Sequence, residues 1–228
     1  MPDCREEGFL LLSNEFNDFF NKGFLTMSLV RKIEPKISET EYLEGELISE
    51  IKYEYIDGVV YAMAGASENH NLISRNVLLE LTAGLKQKKS SCKTFSSDMK
   101  VRISDNSTQF FYPDVMVHCK PGDNEGGYYK QSPVIIIEVL PKSTRKNDKT
   151  SKKLAYFNIP ALQEYIIIEQ DFCEVEVFRK SEHWKSTVYL LGDEITLESI
   201  NTTLSVEDIY YQVDNEDIVN YLKDKEAE

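Results

Sequence analysis

The run from Val134 to Leu140 is apolar at every position but Glu138, and prolines at 133 and 141 bound it. A short β-branched run of this kind predicts a strand buried on both faces. A lone ionised carboxylate there is costly unless something pairs with it, so a basic side chain or a metal ion is expected beside Glu138. Elsewhere the pattern changes period. Between Glu68 and Lys88 the residues Leu72, Ile73, Val77, Leu78, Leu81 and Leu85 recur at helical spacing and predict a long amphipathic helix. Ser38 and Glu41 form a capping-box pattern that opens a helix running to about Glu50. KYEYIDGVVYAMAG alternates about Asp57-Gly58, a hairpin signal.

Strand-like runs follow around Thr94 to Ile103 and Phe110 to Cys119, before the run that holds Glu138. A helix from about Asp148 to Phe157 should stop at Asn158-Ile159-Pro160, because the residue before proline avoids helical backbone. QEYIIIEQ, EVEVFRK and WKSTVYLL read as further strands, and Ser205 begins a short helix leading to an acidic, mobile tail. The order predicts an α/β fold: a mixed sheet with helices on its faces.

A chain of 228 residues, 41% hydrophobic, suits one sizeable core. Residues 1–26 are aromatic without a clear period and precede Met27, an alternative translation start, so they are expected to form an extension outside the core. The domain is then 27–212 and the tail 213–228. No stretch approaches the roughly 18 apolar residues of a membrane span, and no basic-then-apolar leader opens the chain, so neither export nor a membrane partner is expected. The four cysteines are scattered singly, without zinc-site pairs or the density of a disulfide scaffold, which fits a reducing cytoplasm.

The formal charge of −13 would repel nucleic acid as a global field, but its distribution is uneven. Residues 207–228 carry eight acids against two lysines, whereas Lys142, Arg145, Lys146, Lys149, Lys152 and Lys153 cluster with Asp148 alone opposing them. That basic segment starts four residues beyond Glu138.

Asp114, in QFFYPDVMVHC, is a second carboxylate in apolar surroundings. If the two strands are neighbours, Asp114 and Glu138 converge, and like charges that close call for a divalent cation such as Mg²⁺ or Mn²⁺. The bland alternative is an ion pair of Glu138 with Arg102 or a lysine, Asp114 merely ending a turn after Pro113. Asp98 and Glu54 could face the same cleft; Asp57 reads as a turn residue, and His70 as a helix N-terminal residue or a substrate contact. His118 and His183 read as incidental. Phe110, Phe111, Tyr112, Tyr128, Tyr129 and Tyr156 read as core or rim.

The series YEYIDGVVYAMAGASENHN, SDMKVRI, YPDVMV, VIIIEVLPKST, NDKTSKKLAYF and IPALQEYIII, from about Ile37 to Tyr211, resembles the Uma-type restriction endonuclease family, a branch of the PD-(D/E)xK nuclease superfamily. The resemblance implies a restriction-endonuclease-like core, a central mixed β-sheet flanked by helices. It maps Pro113-Asp114 onto the PD element and Glu138 onto the second element. Where the pattern has lysine two residues later, this chain has Leu140; a D-x-x-x-K pattern one helix on offers Lys152 after Asp148. Asp98 and Glu54 gain support as site-facing acids and His70 as a site neighbour.

The implied activity is that of a metal-dependent DNA endonuclease. Asp114, Glu138 and the Val139 carbonyl would hold Mg²⁺ or Mn²⁺, Lys152 would act on the nucleophile, and Lys142, Arg145, Lys146 and Lys149 would grip phosphates. DNA is the expected partner, with a homodimer one arrangement open to the chain. The alternative is a nuclease fold without turnover that binds nucleic acid or protein.

Overall fold

The computed structural model describes residues 36–104, 108–122, 127–140 and 148–226. The extension 1–26, Met27, Lys142, Arg145 and Lys146 lie outside these residues, as does the side chain of Lys149.

The chain opens with helix α1 (Glu39–Glu46), whose Ser38 side chain and Glu41 close the reciprocal capping box. Strands β1 (Tyr53–Ile56) and β2 (Val59–Ala62) form the hairpin about Asp57-Gly58. Both turn residues have positive φ, 52° and 95°, as a two-residue primed turn requires. Helix α2 (Glu68–Gln87) follows, N-capped by Ser67, which accepts from the His70 N–H.

Each of the next two strand-like runs is split. The first becomes β3 (Lys93–Ser96) and β4 (Lys100–Arg102), parted by a turn at Ser97-Asp98; the second becomes β5 (Gln109–Phe111) and β6 (Val115–His118), parted at Pro113. Short β7 (Tyr129–Lys130) precedes β8 (Pro133–Leu140), helix α3 (Asp148–Phe157), β9 (Glu164–Glu169), β10 (Val175–Arg179) and β11 (Ser186–Tyr189). A hairpin of β12 (Glu194–Leu197) and β13 (Thr202–Ser205), not foreseen in the sequence, leads into α4 (Val206–Ile209).

The acidic tail departs from expectation. It forms helix α5 (Glu216–Glu226), anchored where Asp217 accepts the Cys173 N–H at 2.8 Å and where the Tyr221 hydroxyl meets Glu207.

Among the described residues the strands form a five-stranded sheet, β2-β1-β5-β4-β7, a six-stranded sheet, β11-β10-β9-β8-β6-β3, and the β12-β13 pair. The six-stranded sheet is mixed: β8 and β9 are parallel and its other pairs antiparallel. Its faces bury separate clusters. Ile135, Ile137 and Val139 of β8 pack with Ile73, Val77, Leu81 and Leu85 of α2. Ile136 packs on the opposite face with Tyr156 and Ile159, and with Val101 and Phe111 of the five-stranded sheet. Burial on both sides is why the β8 sequence is a near-continuous apolar run.

The cysteine reading is corrected at one pair: Cys92 and Cys119 are joined by a disulfide. They lie 27 residues apart, and the antiparallel register that pairs Lys93 with His118 brings them together. Among the described residues no helix is long and apolar enough to cross a membrane.

Candidate active site

Three strands and two helices deliver the site. In the register of β6 against β8, Val115 lies opposite Ile137, and continuing by one residue sets Asp114 opposite Glu138. Pro113 parts β5 from β6, and Asp114 turns back: its Oδ2 accepts the Val139 N–H at 2.7 Å. The N–H and C=O of one strand residue point to the same side, so the Val139 carbonyl also faces the Asp114 edge. Alternation along β8 sends the Glu138 side chain to the α3 face. There the Tyr156 hydroxyl, itself fully buried, donates to Glu138 Oε1 at 2.7 Å.

Alternation also explains Glu54. Tyr53 and Tyr55 of β1 pack towards α1, where Tyr55 stacks on Tyr42 at 4.8 Å and the Tyr42 hydroxyl donates to the Tyr53 carbonyl. Glu54 therefore faces the other way. Its Oε1 lies 2.6 Å from Lys152 Nζ on α3. That contact is an ion pair rather than a well-aligned hydrogen bond, since the same buried oxygen has no directed donor among the described residues. Lys152 and Tyr156 are four residues apart and so share one face of α3, one meeting Glu54 and the other Glu138. On α2, His70 Nε2 lies 3.2 Å from Asp114 Oδ1, while His70 Nδ1 is buried without a partner among the described residues.

Electrostatics follow from this packing. Burial pushes the Glu138 carboxyl up to about 8; the Lys152 charge and the Tyr156 hydrogen bond pull it back, and the negative charges of Asp114 and Glu54 push it further up. Burial and the same carboxylate hold the Tyr156 phenol well above its ordinary range.

Asp114, Glu138, Lys152, Glu54 and His70 are thus brought into one neighbourhood. Asp98 is not: it sits in the turn between β3 and β4, largely exposed, and pairs with Lys52. The strand-breaking carboxylate that looked site-facing is a turn residue, which the one-dimensional pattern cannot distinguish from a buried interruption. Arg102, the ion-pair candidate for Glu138, pairs instead with Glu39 of α1 at 3.0 Å. Tyr156 had read as core; its spacing of four from Lys152 was the available signal.

Among the described residues no three His, Cys, Asp or Glu side chains are gathered as ready metal ligands. The donor chemistry nonetheless suits a hard cation. Mg²⁺ takes one or two carboxylates and keeps water for the rest of its shell, and Asp114, Glu138 and the Val139 carbonyl supply such a set.

A family model described as "Putative restriction endonuclease", Uma2, matches residues 39–207. The chain belongs to the Uma2 family. The matched span runs from α1 into α4 and so includes every element that carries the clustered residues. Two uncharacterized proteins of Synechocystis are similar to this chain, 34% identical over 77% of it and 92% of their own length, and 36% identical over 71% and 92%. A crystal structure from Anabaena variabilis, of a "putative nuclease belonging to DUF820", superposes with a TM-score of 0.62 over 76% of this chain and 97% of that one. At 19% identity, that likeness shows that the Uma2 fold is shared.

Proposed function

We propose that this Uma2 protein is a metal-dependent endonuclease that hydrolyses phosphodiester bonds in DNA. The observation that carries the reading is the β6–β8 register, which sets Asp114 opposite the buried Glu138, with the Lys152 charge acting on Glu138 and on Glu54. Family membership supports the reaction class, and the donor set supports the cation.

Asp114, Glu138 and the Val139 carbonyl would hold Mg²⁺ or Mn²⁺. Such an ion would lower the pKa of a bound water and neutralise charge on the scissile phosphate. Asp114 is held by the Val139 N–H and Glu138 by the Tyr156 hydroxyl, so both present fixed oxygens. Lys152 supplies a donor to the attacking water or to the developing charge on phosphorus. Lys142, Arg145, Lys146 and Lys149 follow in the chain between Glu138 and Lys152 and would contact flanking phosphates, giving binding that weakens steeply with salt.

Nicking of supercoiled plasmid with Mg²⁺ or Mn²⁺ tests the reading. Asp114→Ala and Glu138→Gln should abolish nicking, and Lys152→Ala should slow it by about 10²–10³-fold, as for removal of one transition-state donor. One observation favours a second reading, a nuclease fold that binds without turnover: Leu140 stands where the superfamily pattern has its lysine. Plasmid retention without nicking at any divalent cation would select it.

A further inference from the structure

The loop between β10 and β11 carries the chain's single tryptophan, Trp184, on left-handed backbone, with φ 54° at His183 and 60° at Trp184. Large side chains seldom occupy that region, and glycine would hold the turn without strain. What the tryptophan adds is a ring. It stacks on Phe157, the last residue of α3, with centroids 4.2 Å apart and planes 8° from parallel. Phe157 is in turn fixed edge-on against Tyr165 at 5.9 Å and packs beside Phe178, so the platform is rigid before anything binds. Among the described residues no second ring lies on Trp184, and its indole N–H has no partner yet is not buried. The indole therefore has an apolar body against the core and a polar edge in water, the disposition of a tryptophan at an interface.

Three lysines border the stack. The Lys153 ammonium sits over the Phe178 ring at 4.6 Å and shares a face of α3 with Phe157, four residues on. Lys180 reaches the Pro160 carbonyl at 2.7 Å, just beyond the end of α3, and the exposed Lys185 follows Trp184. None of the three meets a carboxylate among the described residues, and the stretch 175–189 opposes them with Glu176 and Glu182 alone. The platform adjoins the same face of the six-stranded sheet as Glu138. By register Phe178 pairs with Tyr165 and Glu138 with Ile167, which puts Phe178 two strands over and two residues along, about 10 Å across and about 7 Å along the sheet.

We propose that Trp184, backed by Phe157, is a stacking site for an unpaired base of a DNA strand, with Lys153, Lys180 and Lys185 meeting its phosphates, a few nucleotides from the Asp114 and Glu138 pair. The inference rests on the DNA reading of the active site and adds a substrate class to it: DNA with unpaired bases, whether single-stranded, frayed or flapped. Every base has a π-face that can extend an open aromatic stack, so such a platform selects the state of the strand and not its sequence. The bases of an intact duplex are already stacked on one another and have no free face to offer.

Having one tryptophan makes the test direct. Emission of Trp184, excited beyond the tyrosine absorption, should be quenched when oligodeoxythymidylate is added to the full chain without divalent cation, and little affected by a blunt duplex of the same length. By anisotropy of a labelled oligonucleotide, Trp184→Leu should bind the single strand at least about fivefold more weakly, the lower end for loss of one base–aromatic stack, while Trp184→Phe stays within about threefold. Lys185→Met should reduce the slope of log affinity against log salt by about 0.7. Single-strand binding that leaves Trp184 emission unchanged overturns the inference, as does equal quenching by the duplex or full affinity in Trp184→Leu. The quench in the natural chain decides if the leucine variant fails to fold. Should quenching and the loss in Trp184→Leu hold while plasmid is never nicked, the platform stands and the turnover reading falls. No association of the natural chain with either DNA, with or without Mg²⁺, removes the DNA reading and the platform together.

Discussion

Glu138 is a carboxyl whose chemistry is set by burial, and that gives it a thermodynamic signature. Its value of about 8 in the folded chain lies above the ordinary 4.5. Between those values the folded state binds a proton that the unfolded chain releases, so the metal-free protein should lose stability as pH rises from about 4.5 to about 8. Thermal melts in chelator across that window should show Tm falling, and Glu138→Gln should flatten the slope. A profile that is unchanged by the substitution would place the titrating group elsewhere. The residue was legible because it breaks an apolar strand run. Tyr156 was not, because a tyrosine on the apolar stripe of a helix looks the same whether or not its hydroxyl meets a buried carboxylate. Tyr156→Phe should cost about 1–3 kcal/mol in chemical denaturation, the range for leaving a buried acceptor without its donor.

Elements reveal a different division between what a pattern shows and what it hides. Helix α2 was plain from its period, and the fully buried Ile73, Val77 and Leu81 confirm the stripe. Leu81→Ala should cost about 2–5 kcal/mol, measurable as a shift in denaturant midpoint. Gly84 on the same helix carries the opposite lesson. Alanine there would ordinarily stabilise a helix by about 1 kcal/mol. Here a Cβ would stand 2.6 Å from Thr202 Cγ2, on the buried side chain that opens β13. Gly84→Ala should therefore destabilise, and an increase in Tm would show that Thr202 yields easily. The β12–β13 hairpin that approaches so closely was invisible, since its strands are joined through the 3-10 turn Glu198–Ile200 rather than by a two-residue signal like the Asp57-Gly58 that marked β1 and β2. The runs at 94–103 and 110–119 were recognisable as strand, but alternation reports burial and not which sheet buries it, so their division between two sheets could not be read.

For the molecule as a whole, the mixed α/β architecture and family were legible, because element order and six motifs in register carry them. The disulfide and the helical tail were not. The first depends on the β3–β6 register, which brings together cysteines 27 residues apart, the second on packing against Cys173 and Glu207. The split runs have a consequence for how the fold comes apart. The chain leaves the six-stranded sheet after β3, adds β4 and β5 to the five-stranded sheet, and returns as β6. Among the described strands the chain changes sheet five times, at β2–β3, β3–β4, β5–β6, β6–β7 and β7–β8, and with these stitches neither sheet can lose its strands without pulling on the other. Residues 36–226 should then melt in one calorimetric transition, with van't Hoff and calorimetric enthalpies equal. Amide hydrogen exchange offers the sharper view: β1 and β5 should exchange through the same global opening as β8 and β9. Faster, separate exchange of the five-stranded sheet would mean that the stitches are slack, and that Glu54 can part from Lys152 and Glu138 while the rest of the protein stays folded.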